Sequence, residues 1–170
     1  MATKFGMYEN IVPLLAPVDQ AATILQTPYL DLQSANRASF LLYFGVVTSA
    51  TATDTLTLTM EASTASTSNA SEEAVAFQYR VSVAHATGNS WGAVTDATSA
   101  GVSLGASTVF DGFAVQVDVD PAAITGKKPD ARYVRLVGTH TDAYSVMLVT
   151  AVGFIDPRYK ATTMIPATVT

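Results

Sequence analysis

The sequence predicts an all-β fold: a single antiparallel β-sandwich or jelly-roll domain with extended N- and C-terminal arms. Three observations carry this. From about Ala38 to Asp156, apolar and small polar residues alternate at strand spacing, punctuated by Gly, Asp and Asn. No segment keeps a helical apolar period long enough for a long helix. Both ends are apolar but broken by proline, which fixes its own φ and removes a backbone donor. The expected layout is an arm over 1–20, a sandwich over 21–156 and a second arm over 157–170.

Taken in order, Met1 to Gln20 places Ile11, Val12, Leu14 and Leu15 around Pro13 and Pro17, which suits neither a helix nor a central strand. Ala21 to Leu25 fits either one helical turn or a strand. Pro28 to Leu32 reads as a short edge strand. Ser39 to Thr48 is apolar on both faces, with Phe40, Leu42 and Phe44 against Leu41 and Tyr43, and predicts a strand covered on both sides. Asp54 to Glu61 alternates cleanly, with Leu56, Leu58 and Met60 inward and threonines outward. Ala65 to Glu73 reads as a polar loop and Ala74 to Ala84 as one strand. Thr87 to Gly105 is Gly/Ser/Thr-rich and is either a functional loop or a short hairpin. Val109 to Val119 alternates and is stopped by Pro121, with TGKKPD as a turn. Arg132 to Thr139 places Val134 and Leu136 on one face, and Ser145 to Ile155 is apolar on both, as in a central strand. From Asp156 the tail has two further prolines and no helical period.

A chain of 170 residues suits one domain and can bury a core without covalent staples. Cysteine is absent, which excludes a disulfide framework and fits folding in a reducing cytosol. Charged residues make up only 14%, with a formal net charge of -5, against about a quarter charged in ordinary domains. So few cations argue against a phosphate-binding surface, and no nucleic-acid partner is expected. Lys127, Lys128, Arg132 and Arg135 form one local basic spot. The longest apolar runs, such as Phe40 to Val47, fall far short of the roughly 20 residues that span a bilayer, so no membrane partner is expected. The N-terminus makes a poor signal peptide.

Chemistry-bearing groups are sparse. The two histidines, His85 and His140, lack ligand spacing for zinc. No G-x-S-x-G elbow marks a nucleophile. Asp118 and Asp120 share one strand face, with Asp111 nearby, and either bind Ca²⁺ or form the solvated side of a strand. A glycosidase carboxylate pair has no sequence signature. The expectation is therefore no catalytic residues, no metal site, no cofactor and no enzymatic activity.

Binding residues are better marked. Trp91, in SWG, caps the core, anchors a protein interface or stacks on a sugar. Ile11, Val12, Leu14 and Leu15 in the first arm, and Tyr159, Met164, Ile165 and Val169 in the second, either fold back on the domain or dock on a partner. Ordering an arm costs roughly 1–2 kcal/mol per backbone residue. A buried Leu or Ile returns about 1.5–3 kcal/mol, so such arms order best on a large assembled surface.

The order of segments resembles the capsid decoration (cement) proteins of tailed bacteriophages. It runs APVD (Ala16 to Asp19), DLQSANRASFLLYFGV (Asp31 to Val46), TLTLTMEAS (Thr55 to Ser63), AFQYRVS (Ala76 to Ser82) and VQVDVDPAAI (Val115 to Ile124). RYVRLVGTHT (Arg132 to Thr141) and a last strand into DPRYKAT (Asp156 to Thr162) complete it. RYVRL, a strand and then PRY are its most distinctive part, and the 87–105 loop matches nothing. The resemblance implies a β-sandwich on the outer surface of an assembled phage head, often a homotrimer at three-fold positions. It would bridge neighbouring major capsid proteins, after assembly in the bacterial cytoplasm. Ile11, Val12, Leu14, Leu15, Trp91, Tyr159, Met164 and Ile165 are then the expected partner contacts. The alternatives are another virion component (tail, connector or fibre) and a carbohydrate- or receptor-binding sandwich.

Overall fold

The computed structural model describes residues 10–20, 24–49, 54–67, 72–84, 88, 90–106, 110–141 and 144–157. Among the described residues, two antiparallel sheets form a β-sandwich, with a short helix between strands. Sheet I runs in the order β1 (Asn10–Asp19), β12 (Tyr144–Pro157), β4 (Ala35–Ser49), β10 (Ala114–Val119), β7 (Phe77–Val81), β8 (Thr95–Ala97). Sheet II runs β2 (Ile24–Gln26), β11 (Tyr133–His140), β5 (Thr55–Ser63), β6 (Glu73–Val75), with β3 (Leu30–Asp31) also on β11 and β9 (Val102–Ala106) also on β5.

The period of two sorts each strand into an inner and an outer row. The inner rows form one core across both sheets: Phe40, Leu42 and Phe44 of β4, Leu56, Leu58 and Met60 of β5, Val115 and Val117 of β10, and Val134 and Leu136 of β11. Leu30 reaches across from sheet II to Gly153 on β12, where an added Cβ would lie 2.8 Å from its Cδ2. Glycine at 153 is therefore what lets the two sheets close on each other there.

The segment expected as an extended N-terminal arm, either folded back on the domain or docked on a partner, is extended from Asn10 onward and folds back on the domain. It forms β1, the edge strand of sheet I, in antiparallel register from Asn10 opposite Ile155 to Asp19 opposite Leu148. Pro13 and Pro17 cannot donate to a ladder, and the register slips between Pro13 and Leu15 and between Leu15 and Val18. Side chains hold the kinked strand: the Thr150 hydroxyl donates to the Leu15 carbonyl at 2.8 Å, and the Met147 N–H donates to Asp19 Oδ1 at 3.0 Å.

The strand expected over Ala74 to Ala84 is two strands in different sheets, separated by Ala76 alone. The chain changes sheet again between β8 and β9, through a turn in which the Gly101 N–H donates to the Thr98 carbonyl. Gly101 has φ +84, and a Cβ there would meet the Leu58 carbonyl oxygen at 2.3 Å. Thr87 to Gly105 thus holds two strands rather than one long loop.

The turn expected over Thr125 to Asp130 holds only from Lys128 onward, since Thr125 to Lys127 end helix α1 (Pro121–Lys127). Asp120 caps it, accepting from the Ala122 N–H at 2.8 Å, and Pro121 sits at the first turn, where a missing N–H costs nothing. Ile124 anchors the helix in the core. The expected sheet-interior position of the last strand holds, since β12 lies between β1 and β4. Coverage of both faces does not hold for β4: Tyr43 is exposed and Leu41 half-buried on its outer side. The 157–170 arm, with Tyr159, Met164, Ile165 and Val169, lies beyond Pro157 and outside the described residues, as does His85.

Candidate functional site

The two outer faces differ in kind. On sheet II, Arg135 of β11 is buried among carboxylates, with Nε 2.9 Å from Glu61 and an Nη 2.7 Å from Glu72. Its guanidinium lies 4.9 Å from the Tyr29 ring centre, and the Tyr29 hydroxyl donates to Glu72. Burial, then that hydrogen bond, push the Tyr29 phenol up to about 12. Arg132 beside it holds Asp31 at 2.5 Å and lies over Tyr133. Burial alone would raise the Asp31 carboxyl, but hydrogen bonds from Arg132 and the Gln33 N–H outweigh it and hold it below the ordinary carboxylate range. Lys127 meets Glu73 at 3.4 Å. Three members of the basic spot are therefore engaged with carboxylates, and this face is closed by its own partners.

Sheet I leaves its outer face open among the described residues. One cross-strand row reads Pro13, Val152, Leu41, Gln116, Arg80, through β1, β12, β4, β10 and β7. The next reads Ile11, Phe154, Ser39, Asp118, Gln78, Asp96, ending on β8. Both rows pass from apolar to polar, so the face has two halves. The apolar half keeps Ile11 48% exposed and Tyr43 36% exposed, with Leu41, Val152 and Phe154 partly exposed beside them.

The polar half is a hydrogen-bonded network. Arg80 donates twice to Gln116 Oε1, at 3.0 and 2.6 Å, and Gln116 Nε2 donates to Asp118 at 3.1 Å. A donor on one side and an acceptor on the other fix the orientation of that amide. Asp118 also accepts from the Ser39 hydroxyl and pairs with Arg37 at 3.2 Å. Asp118 is 8% exposed, so the solvated strand face expected for it is a satisfied, nearly buried carboxylate instead. Asp120, two residues on, is spent as the cap of α1.

Trp91 is not the core residue that one reading expected. It is 38% exposed, bridged to Ser82 beyond the end of β7, and its ring lies 4.8 Å from the Arg80 guanidinium. One depression adjoins it, and a second shares lining residues with that one. The first, of about 220 Å³, is lined by Trp91, Gln116, Phe154 and Asp156; the second, of about 630 Å³, by Asn36, Gln78, Asp96 and Asp120. Arg37 and Asp118 line both.

The expected partner contacts are thus divided. Val12 and Leu14 belong to the protein's own core at 4% and 7% exposure, which corrects their assignment as arm anchors: the period of two turns them inward once the segment joins the sheet. Leu15 packs partly against that core, while Ile11 and Trp91 lie on the open face of sheet I. Tyr159, Met164 and Ile165 are outside the described residues. Sequence reasoning did not mark Tyr43, Arg37, Arg80 and Gln116. The signal available for Tyr43 was its place on the outward parity of β4, opposite Phe44.

Among the described residues no group of His, Asp and Glu is placed to hold a metal ion, and no helix is long and apolar enough to cross a membrane. No family model, no curated protein and no solved structure matches the chain.

Proposed function

We propose that this chain is a non-enzymatic structural protein of a tailed-phage virion. It decorates the outer surface of the assembled head as a homotrimer and bridges neighbouring major capsid proteins. The observation that carries the reading is the open apolar half of sheet I, where Ile11, Leu41, Tyr43, Val152 and Phe154 stand together on β1, β4 and β12. Contiguous apolar surface of this kind marks a protein contact. The segment order it shares with decoration proteins, and a cysteine-free chain suited to assembly in bacterial cytosol, support the same reading.

Cementing is linkage. A protein that binds only the assembled, expanded shell stabilises it by RT ln(1 + [L]/Kd), about 2.7 kcal/mol at a hundredfold excess over Kd. A trimer engaging several capsid subunits adds avidity without new contacts. Tyr159, Met164 and Ile165, following β12, are proposed as a second contact.

The test is a titration of purified protein onto undecorated, expanded heads of its own phage, followed by pelleting. Saturable binding at a fixed ratio to the major capsid protein, with heads surviving higher temperature, is the expected result. The double variant Ile11→Glu/Tyr43→Glu should fold normally and lose that binding. Absence of binding at micromolar protein would remove the capsid reading.

A further inference from the structure

The polar half of sheet I offers something that capsid binding does not require. Trp91 is an aromatic ring held in place rather than a loose surface side chain. Its strand position is fixed by the bridge to Ser82 and by the Gly92 N–H donating to the Val81 carbonyl at 2.9 Å. Arg80, itself clamped by Gln116, lies over the ring and leaves more than a third of Trp91 in solvent. Beside the ring lies the depression of about 220 Å³, and the one of about 630 Å³ shares Arg37 and Asp118 with it; taken together they are within the usual size of a small-ligand site.

The groups along the two depressions are planar and polar: the Arg37 guanidinium and Asp118 carboxylate in both, and the Gln78 amide and Asp96 carboxylate in the larger one. Gln78 Nε2 already donates to Asp96 at 2.9 Å, and Asp118 is fixed by Ser39, Gln116 and Arg37. Such groups match hydroxyls, which both donate and accept. A hydrogen-bond network settled before binding loses little entropy on binding. The aromatic ring suits the apolar C–H face of a sugar, since its π face is negative and the C–H hydrogens are slightly positive. Charge narrows the class further. Among the described residues, four carboxylates (Asp96, Asp118, Asp120, Asp156) line the depressions and Arg37 is the only cation lining them, which disfavours an acidic sugar or a phosphate.

We propose that this groove binds a neutral oligosaccharide, with one sugar ring stacked on Trp91 and its hydroxyls held by Arg37, Gln78, Asp96 and Asp118. The site does not rest on the capsid reading; it adjoins the apolar half of the same face and shares Leu41 and Phe154 with it. A decorated head would then carry sugar-binding sites next to its capsid contacts.

Trp91 is the only tryptophan, so its fluorescence reports on the site directly. The experiment is an array of neutral and anionic glycans probed with the full chain, followed by fluorescence titration with the neutral oligosaccharide that binds best. The expected result is saturable binding confined to neutral glycans, with a change in Trp91 emission. Affinity, read by calorimetry, should fall about tenfold or more in Trp91→Ala and less in Trp91→Phe, which keeps a ring. Gln78→Ala should weaken binding while leaving thermal unfolding unchanged. No neutral-glycan binding at submillimolar protein, binding restricted to anionic glycans, or affinity unchanged in Trp91→Ala would each overturn the proposal, whatever the head titration shows.

Discussion

Arg135 keeps 8% of its side chain exposed while holding both Glu61 and Glu72. Removing one member of a buried ion pair costs about 3–5 kcal/mol, because the remaining charge loses its partner and not its burial. Arg135→Ala is expected to lower the unfolding free energy by about 3 kcal/mol, the lower end, since both glutamates keep some contact with water. Urea denaturation checks this, and a loss under about 1 kcal/mol would show the cluster to be a screened surface pair. Tyr29 in the same cluster sets an alkaline limit. Its phenol is raised from 10.0 to about 12 in the folded chain, so its contribution is complete below pH 10 and is lost as the pH rises through about 12. Ultraviolet titration of the folded protein should show a late phenolate that is missing in Tyr29→Phe. None of this was legible in the sequence: Tyr29 and Glu72 are 43 residues apart, Glu61 and Arg135 are 74. The face shared by Asp118 and its i±2 neighbours was legible, but not its burial, because Ser39 and Arg37 come from β4.

Elements with a strong period of two were legible to within a few residues, as with β5, β10, β11 and β12. The failures have physical causes. Alternation continues across Ala76, so a change of sheet leaves no mark on the pattern. The strands β8 (TDA) and β9 (VSLGA) are three and five residues long, too short for a clear period among Thr, Ser, Gly and Ala neighbours, and they form on edges that β7 and β5 offer. Helix α1 is seven residues long, too short for a visible period; its only signal was Asp-Pro, a cap followed by a first-turn proline. Whether the first arm folds back or docks elsewhere was not legible, because proline argued only against a central strand and an edge strand tolerates it. The distinction can be measured. Leu14→Ala should cost about 2–4 kcal/mol, the usual range for a buried large-to-small change, while Ile11→Ala on the same strand should stay within about 0.5 kcal/mol. Equal costs at the two positions would contradict the facing assigned to β1.

At the scale of the molecule, the sandwich divides its labour between its two outer surfaces. Sheet II carries paired charges and stacked rings among its described residues, and these contribute to stability. Sheet I carries an apolar half and a polar groove side by side, on strands contributed by both ends of the chain. Separate substitutions should therefore separate two activities: Ile11→Glu/Tyr43→Glu should abolish binding to heads and spare sugar binding, and Trp91→Ala should do the reverse. Loss of both in either variant, with folding intact, would mean that the face acts as one site.

The register of β1 on β12 has a mechanical consequence. Asn10 lies opposite Ile155, so the first described strand begins where the last one ends. A pull applied between these two points would load the β1–β12 ladder from one end and break its hydrogen bonds one after another, as a zipper opens. A pull along opposite strand ends would have to shear them all together. Tension passed through residues flanking these strands would peel β1 at low force and expose Val12, Leu14 and the inner row of β12. A fastening that must resist an outward push is better carried by the broad face of sheet I than by its ends.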